Sequence, residues 1–176
     1  MEITKLLEVN NRAKWRSWLE KNHNRSKEIW LVYYKKSSRK KRISYNDAVE
    51  EALCFGWIDS IMKPVDEERY AQRFTPRREK SALSELNKER IKRLIEAGLI
   101  TKAGLDIIKH HVDGKSSNKK LKKFKIPSDI LIVLKADPVV WKNFQKFPEH
   151  YKHIRIGWID GSRRRSEEFN KRLDIF

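Results

Sequence analysis

Residues 29–34 read IWLVYY, six consecutive β-favouring side chains with no charged position among them. Successive side chains of a strand point to opposite faces, so Ile29, Leu31 and Tyr33 share one face and Trp30, Val32 and Tyr34 the other. A strand apolar on both sides must be covered on both sides. The chain therefore has to build a sheet inside a core. Most of its remaining apolar positions recur at helical spacing, which makes the fold class α+β. The expected architecture is a mainly helical N-terminal domain with a small antiparallel sheet over residues 1–112. A Lys-rich linker over 113–125 and a small all-helical C-terminal segment over 126–176 complete it.

The punctuation of the chain supports this division. Trp15, Trp18, Leu19 and Asn22 fall on one face of a helix over residues 11–22, with Asn10 or Asn11 as its cap. The sequence SYND, from Ser44 to Asp47, is a capping-box pattern. Tyr45, Val49, Ala52 and Leu53 then form a buried stripe, and Gly56 takes the left-handed position that ends the helix. Residues 57–65 and 70–76 read as a hairpin, with DEER as its turn and Pro76 as its stop. Ser84 and Thr101 cap two further helices, the first closed by Gly98. Beyond residue 125, Pro127, Pro138 and Pro148 each stand at the first position of a short helical pattern. The tetrapeptide GWID occurs at Gly56–Asp59 and again at Gly157–Asp160, once after a helix and once at a helix end. So short a match is no internal repeat.

The hairpin gathers the densest polar chemistry. Asp59 with Arg73 and Arg77 forms a constellation beside Trp57, Ser60, Phe74 and Thr75. Arginine suits carboxylate or phosphate because its fork is planar and always charged. The same residues also suit an internal Asp–Arg bridge, and the sequence leaves both readings open. Cys54, the only cysteine, excludes an internal disulfide and fits a reducing compartment. It is expected at a helix C-terminus, where the dipole disfavours a thiolate, so it reads as a buried structural residue and not a nucleophile. The histidines are His23, His110, His111, His150 and His153. His150 and His153 are three apart beside Glu149, but a metal site needs more ligands than these. No metal and no cofactor is expected.

Charge enters here. The chain carries 41 Lys+Arg against 24 Asp+Glu, a formal net charge of +17. Such a field attracts phosphate, nucleic acid and anionic surfaces. Two basic runs concentrate it. The first is Lys35, Lys36, Arg39, Lys40, Lys41 and Arg42, beside aromatic residues that suit stacking. The second includes Lys119, Lys120, Lys122 and Lys123. No helix-turn-helix, zinc-finger or RNA-recognition signature accompanies them, so any nucleic-acid binding is expected to be weak and indifferent to sequence. The opening residues MEITKLLEVNNRAKW lack the apolar core of a secretory signal, and no run approaches a membrane span. The expected location is the cytoplasm.

The segments WLEKNH, EIWLVYYKK, YNDAVEEALCFGWIDS, DEERYAQRFTPRREKS and NKERIKRLIEAGLITKAG resemble the YdeI/OmpD-associated, or bacteriocin-protection, family. So does IPSDILIVLKADPVVWKNFQKFPEHYKHIRIGWI after the linker. The chain departs from the family pattern at Leu83, where a Trp is usual, and in the tail GSRRRSEEFNKR, which lacks the usual Thr-Arg pair. The resemblance implies a role in bacterial stress or protection from bacteriocins, and implies no particular reaction. The function expected is a non-catalytic protein that binds an anionic small molecule or a protein partner. The alternatives are a sequence-independent nucleic-acid-binding protein and, third, an enzyme of unknown reaction.

Overall fold

The computed structural model describes residues 2–78, 81–112 and 125–175, with backbone alone at 110–112. It divides into two compact units, Met1–Ser81 with Arg90–Gly114 and Ala82–Glu89 with Lys115–Phe176. The linker expected over 113–125 lies, apart from Lys125, outside the described residues.

The first unit is built on β2 (Ile29–Tyr34), of which Ile29 to Tyr33 are buried. Its neighbours are β1 (Leu6–Leu7), β3 (Trp57–Pro64) and β4 (Arg69–Pro76), in the sheet order β1-β2-β4-β3. β2 pairs antiparallel with β4, bringing Ile29 opposite Phe74 and Tyr33 opposite Tyr70. β3 and β4 form the expected hairpin, with an irregularity between Asp59 and Met62. The Asp66 carboxylate closes its turn by accepting the backbone N–H groups of Glu68 and Arg69 at 3.0 and 2.7 Å. β1 runs parallel to β2, so the sheet is mixed, where the sequence led to an antiparallel one. Two residues carry no readable alternation, which is why β1 has no signal in the sequence.

Helices α1 (Arg12–Asn22) and α2 (Tyr45–Cys54) start at the caps that the sequence marks. Asn11 accepts the Lys14 N–H at 2.9 Å, and Ser44 accepts the Asp47 N–H at 3.0 Å. Trp15 and Leu19, four residues apart, are buried, and the Trp15 indole N–H donates to the Ala48 carbonyl at 2.9 Å. Phe74 packs against Trp15 with ring centroids 5.3 Å apart, which places α1 on the Phe74 face of the sheet. Tyr45, expected in the buried stripe of α2, is instead half-exposed. Gly56 follows with φ +72°, the conformation expected of it. Next come α3 (Glu85–Glu96), capped by Ser84, and α4 (Lys102–Val112). The boundary between the units falls inside α3.

The second unit contains α5 (Ser128–Ala136), α6 (Pro138–Lys146), α7 (Glu149–Asp160) and α8 (Ser166–Leu173). Its core is Ile130, Leu134, Phe144, Ile156 and Ile159. Pro138 is the first residue of its helix, whereas Pro127 and Pro148 stand one position earlier, at the cap. α8 was not among the expected helical patterns. The buried side of α7 is Ile156 and Ile159, and Tyr151 remains partly exposed. No helix among the described residues is long and apolar enough to cross a membrane.

Candidate functional site

The hairpin forms as expected, and its register decides what its polar residues can do together. Asp59 pairs with Phe74, which puts it on the Phe74 face. Arg73, next along the strand, points to the other face. The Asp59 carboxylate accepts the Tyr45 hydroxyl at 2.8 Å and the Gln72 amide at 3.2 Å. Arg73 turns to Glu28, its Nε lying 2.7 Å from Glu28 Oε2 and its Nη2 bonded to the same oxygen. The Thr4 hydroxyl and Arg73 together hold the Glu28 carboxyl below its usual range. Arg77 is buried, donates to the Ser81 carbonyl at 2.9 Å, and is shifted down by that burial. Trp57 is in the core, its indole N–H on the His23 carbonyl at 3.1 Å, and Phe74 is fully buried. The Ser60 hydroxyl reaches the Arg73 carbonyl at 3.4 Å, and Thr75 stands opposite Ile58.

Around Asp59 the structure assembles an aromatic cluster that the sequence did not announce. The Tyr33 and Tyr70 rings stack with centroids 5.3 Å apart. Burial, with Tyr70, Asp59 and Tyr45 nearby, pushes the Tyr33 phenol up. The Tyr33 hydroxyl has no hydrogen-bond partner among the described residues. The signal for this cluster was the register of β2 on β4, which local periodicity does not carry.

A second polar site lies where β2 runs out into the first basic loop. A cavity of about 260 Å³ is lined by Glu8, Val9, Asn10, Lys14, Val32, Tyr34 and Lys41. The Tyr34 hydroxyl donates to Glu8 at 3.1 Å. Arg69 pairs with the same carboxylate at 2.5 Å and with Asp66 at 2.7 Å. The Glu8 charge is therefore compensated. Of the loop cations, Lys40 sits 4.9 Å from the Tyr34 ring centroid and bonds Glu68 at 2.9 Å, while Arg42 donates to the Tyr34 carbonyl at 2.6 Å. Those two shape the loop. Lys14 and Lys41 are exposed at the cavity, and neither forms an ion pair among the described residues. Lys35, Lys36 and Arg39 are exposed in the same loop, with Arg39 in the left-handed region at φ 56°. Lys119, Lys120, Lys122 and Lys123 lie outside the described residues. The basic loop and its aromatic neighbour were legible in the sequence. The contribution of residues 8–14 was not, because it depends on β1 aligning with β2.

Two family models match the chain. Residues 7–107 match a domain of unknown function, DUF8412, and residues 123–176 match the family described as Bacteriocin-protection, YdeI or OmpD-Associated. The chain belongs to the DUF8412 family and carries a YdeI/OmpD-associated domain. No curated protein and no solved structure matches it. The family resemblance read from the segment after the linker falls within the YdeI/OmpD-associated match. The N-terminal motifs that suggested the same family fall within the DUF8412 match, and so do the hairpin and the Tyr34 cavity.

Cys54 in this DUF8412 domain is fully buried. Burial, with Glu51 close by, pushes its thiol up to about 11. A thiol that high holds almost no thiolate at neutral pH, and the thiolate is the nucleophile. Labelling of the folded protein by a thiol reagent at pH 7 is expected to be at least a hundredfold slower than after unfolding in denaturant. A rate near that of the unfolded chain would contradict the burial. His23 is tied into the end of α1, its Nδ1–H donating to the Leu19 carbonyl at 2.9 Å. His150 and His153 lie on α7 beside Glu149, and the side chains of His110 and His111 are outside those described. Among the described residues no group of three or more His, Cys, Asp or Glu is placed to hold a metal ion.

Proposed function

We propose that this protein acts in the cytoplasm by binding rather than by catalysis, in bacterial stress or bacteriocin protection, and that its ligand is an anionic small molecule or an anionic group on a partner. The observation that carries this reading is the Tyr34 cavity. Two lysines line it without an ion-pair partner among the described residues, beside the Asn10 amide, while the Tyr34 hydroxyl is engaged with Glu8. Glu8, the only carboxylate lining it among the described residues, is held by Arg69 at 2.5 Å. Lysines act as point charges on phosphate or carboxylate. A volume of about 260 Å³ is slightly below the usual range for drug-sized ligands, which favours a small anion or a single charged head group. The Asp59, Arg73 and Arg77 set is better read as scaffold, because each of its charged groups already has a partner in the fold.

Calorimetric titration with inorganic phosphate, citrate and adenosine monophosphate tests this reading. At least one is expected to bind, and the double variant Lys14→Ala/Lys41→Ala is expected to weaken it at least tenfold, about 1.4 kcal/mol. Both lysines are exposed, so the melting temperature should move by no more than a few degrees. Unchanged affinity in the double variant would defeat the proposal.

The exposed Lys35, Lys36, Arg39 and Lys41 beside Tyr34 favour nucleic acid as the second reading. Titrated at about 50 and 200 mM salt, a labelled oligonucleotide is expected to bind with a dissociation constant of roughly 10⁻⁴ to 10⁻⁶ M that rises steeply with salt. Tighter, sequence-selective binding at about 200 mM salt would put nucleic acid first. Nothing among the described residues favours the enzymatic reading.

A further inference from the structure

The YdeI/OmpD-associated domain has an apolar groove that its described residues leave open. Val139, Val140, Phe144, Phe147, Tyr151 and Ile175 line a cavity of about 230 Å³, with Asn143 and Arg155 as its polar positions. Its floor is rigid, because Phe144 belongs to the core of the unit and is 2% exposed. Its walls are aromatic. Phe144 meets Phe147 edge-on at 6.5 Å, and Phe147 lies 4.8 Å from Tyr151, while Trp141, outside the lining, stacks on Phe144 at 5.9 Å. Its rim exposes apolar surface, Val139 at 66% and Ile175 at 61%. Exposed apolar patches beside a preformed groove mark interaction sites.

We propose that this groove docks an amphipathic helix of a partner protein, with two or three apolar anchors on one face and Asp or Glu beside them. Size argues for side-chain anchors: about 230 Å³ is too small for most whole ligands and suits residues presented at i, i+3 or i+4, and i+7. Charge selects the partner. Arg155 lines the groove, and Lys146 is exposed at the end of α6, three residues from the lining Asn143, so it flanks the groove. Glu149, at the start of α7, is held by Lys152 at 2.8 Å, and Asp174 stands next to Ile175. The balance at the rim is cationic and matches an acidic segment. A second copy of this chain, itself at +17, is disfavoured by the same balance. The inference concerns a different unit from the Tyr34 cavity, and its failure would leave the anion-binding reading untouched.

Fluorescence anisotropy with the full chain and three labelled helical peptides tests it at about 0.15 M salt, where the Debye length is about 8 Å. One peptide carries leucines on a single face among glutamates, one has the same leucines among lysines, and one scrambles the first so that the leucines share no face. The acidic amphipathic peptide is expected to bind at least tenfold more tightly than the other two. Val139→Asp, at an exposed position that leaves the fold intact by circular dichroism, should weaken it at least tenfold. Lys146→Glu should weaken it severalfold. Equal binding of the acidic and scrambled peptides, or binding indifferent to Val139→Asp, would reduce the effect to general attraction by the basic chain and overturn the proposal. So would self-association that Val139→Asp abolishes, since the occupant would then be a second copy.

Discussion

Replacing Gly104 with alanine is expected to lower stability by about 3 kcal/mol, although alanine is the better helix former by about 1 kcal/mol. The sign turns on one close approach. Gly104 lies in the first turn of α4, against the end of α2. A Cβ there would stand 2.8 Å from the carbonyl carbon of Cys54, closer still to its oxygen, and 3.1 Å from the Leu53 oxygen. These are backbone atoms, and no rotamer change can move them aside. They are also fixed locally: the Gly56 N–H donates to the Leu53 oxygen at 3.1 Å. The helix itself must therefore shift. The Cys54 oxygen also accepts the Thr101 N–H at 3.0 Å and the Thr101 hydroxyl at 2.7 Å, so a shift weakens the hydrogen bonds that dock α4. It would also move Ile107 from its place over Gly56. Gly98→Ala is the control. Nothing lies within 4 Å of its Cβ, and only the left-handed φ of +65° opposes it, at about 1–2 kcal/mol. Urea unfolding of both variants decides the matter. A Gly104→Ala protein as stable as the parent would mean that α4 does not pack this closely.

These glycines illustrate what the sequence could and could not convey. Gly56 was readable as a left-handed helix end and Gly98 as a helix stop because they follow periodic apolar runs, and both have positive φ. Gly104 carried no such mark. Its role comes from a helix-to-helix distance, and nothing in the residues around it encodes that distance. The same division runs through the rest of the fold. The doubly covered strand, the Asn11 and Ser44 caps and the 57–76 hairpin follow from local chemistry, and the structure has them all. The parallel pairing of Leu6–Leu7 does not, since it needs a partner 24 residues away. Asp59 and Arg73 were placed together because the hairpin brings their backbones close. Separating their side chains to opposite faces required the register, Asp59 on Phe74, and the irregularity that follows it. The Tyr34 cavity was half legible. The basic loop is contiguous in sequence, whereas Glu8, Asn10 and Lys14 reach it only through the sheet and the start of α1.

The largest effect is expected where charges leave water. Glu51, on α2, is only 3% exposed, and two arginines of α1 meet it: Arg12 Nε at 2.5 Å from one oxygen and Arg16 Nη1 at 2.8 Å from the other. Burial works against the charge of both guanidinium groups, and the carboxylates more than offset it, holding both above their ordinary value. The two sides of this network differ in what they can do alone. Arg12 and Arg16 are 35% and 30% exposed, and they keep Asp47 at 3.2 Å and Glu20 at 3.4 Å, so without Glu51 they can turn to water and to other acids. Glu51→Gln should therefore cost about 2 kcal/mol, the worth of its charge-assisted hydrogen bonds. Glu51 has no such freedom. Removing both cations in Arg12→Ala/Arg16→Ala would leave a buried carboxylate uncompensated, at about 3–5 kcal/mol. Either single arginine variant should cost less than half of that, because the other cation still holds one oxygen. The decisive variant adds Glu51→Leu to the double. With no charge left to bury, it is expected to recover at least about 1 kcal/mol, since apolar residues of similar volume replace buried ion pairs well. Chemical denaturation of the full cycle measures each coupling. If Glu51→Leu deepens the loss in that background, the cost lies in packing between α1 and α2, and the electrostatic account of their docking is wrong.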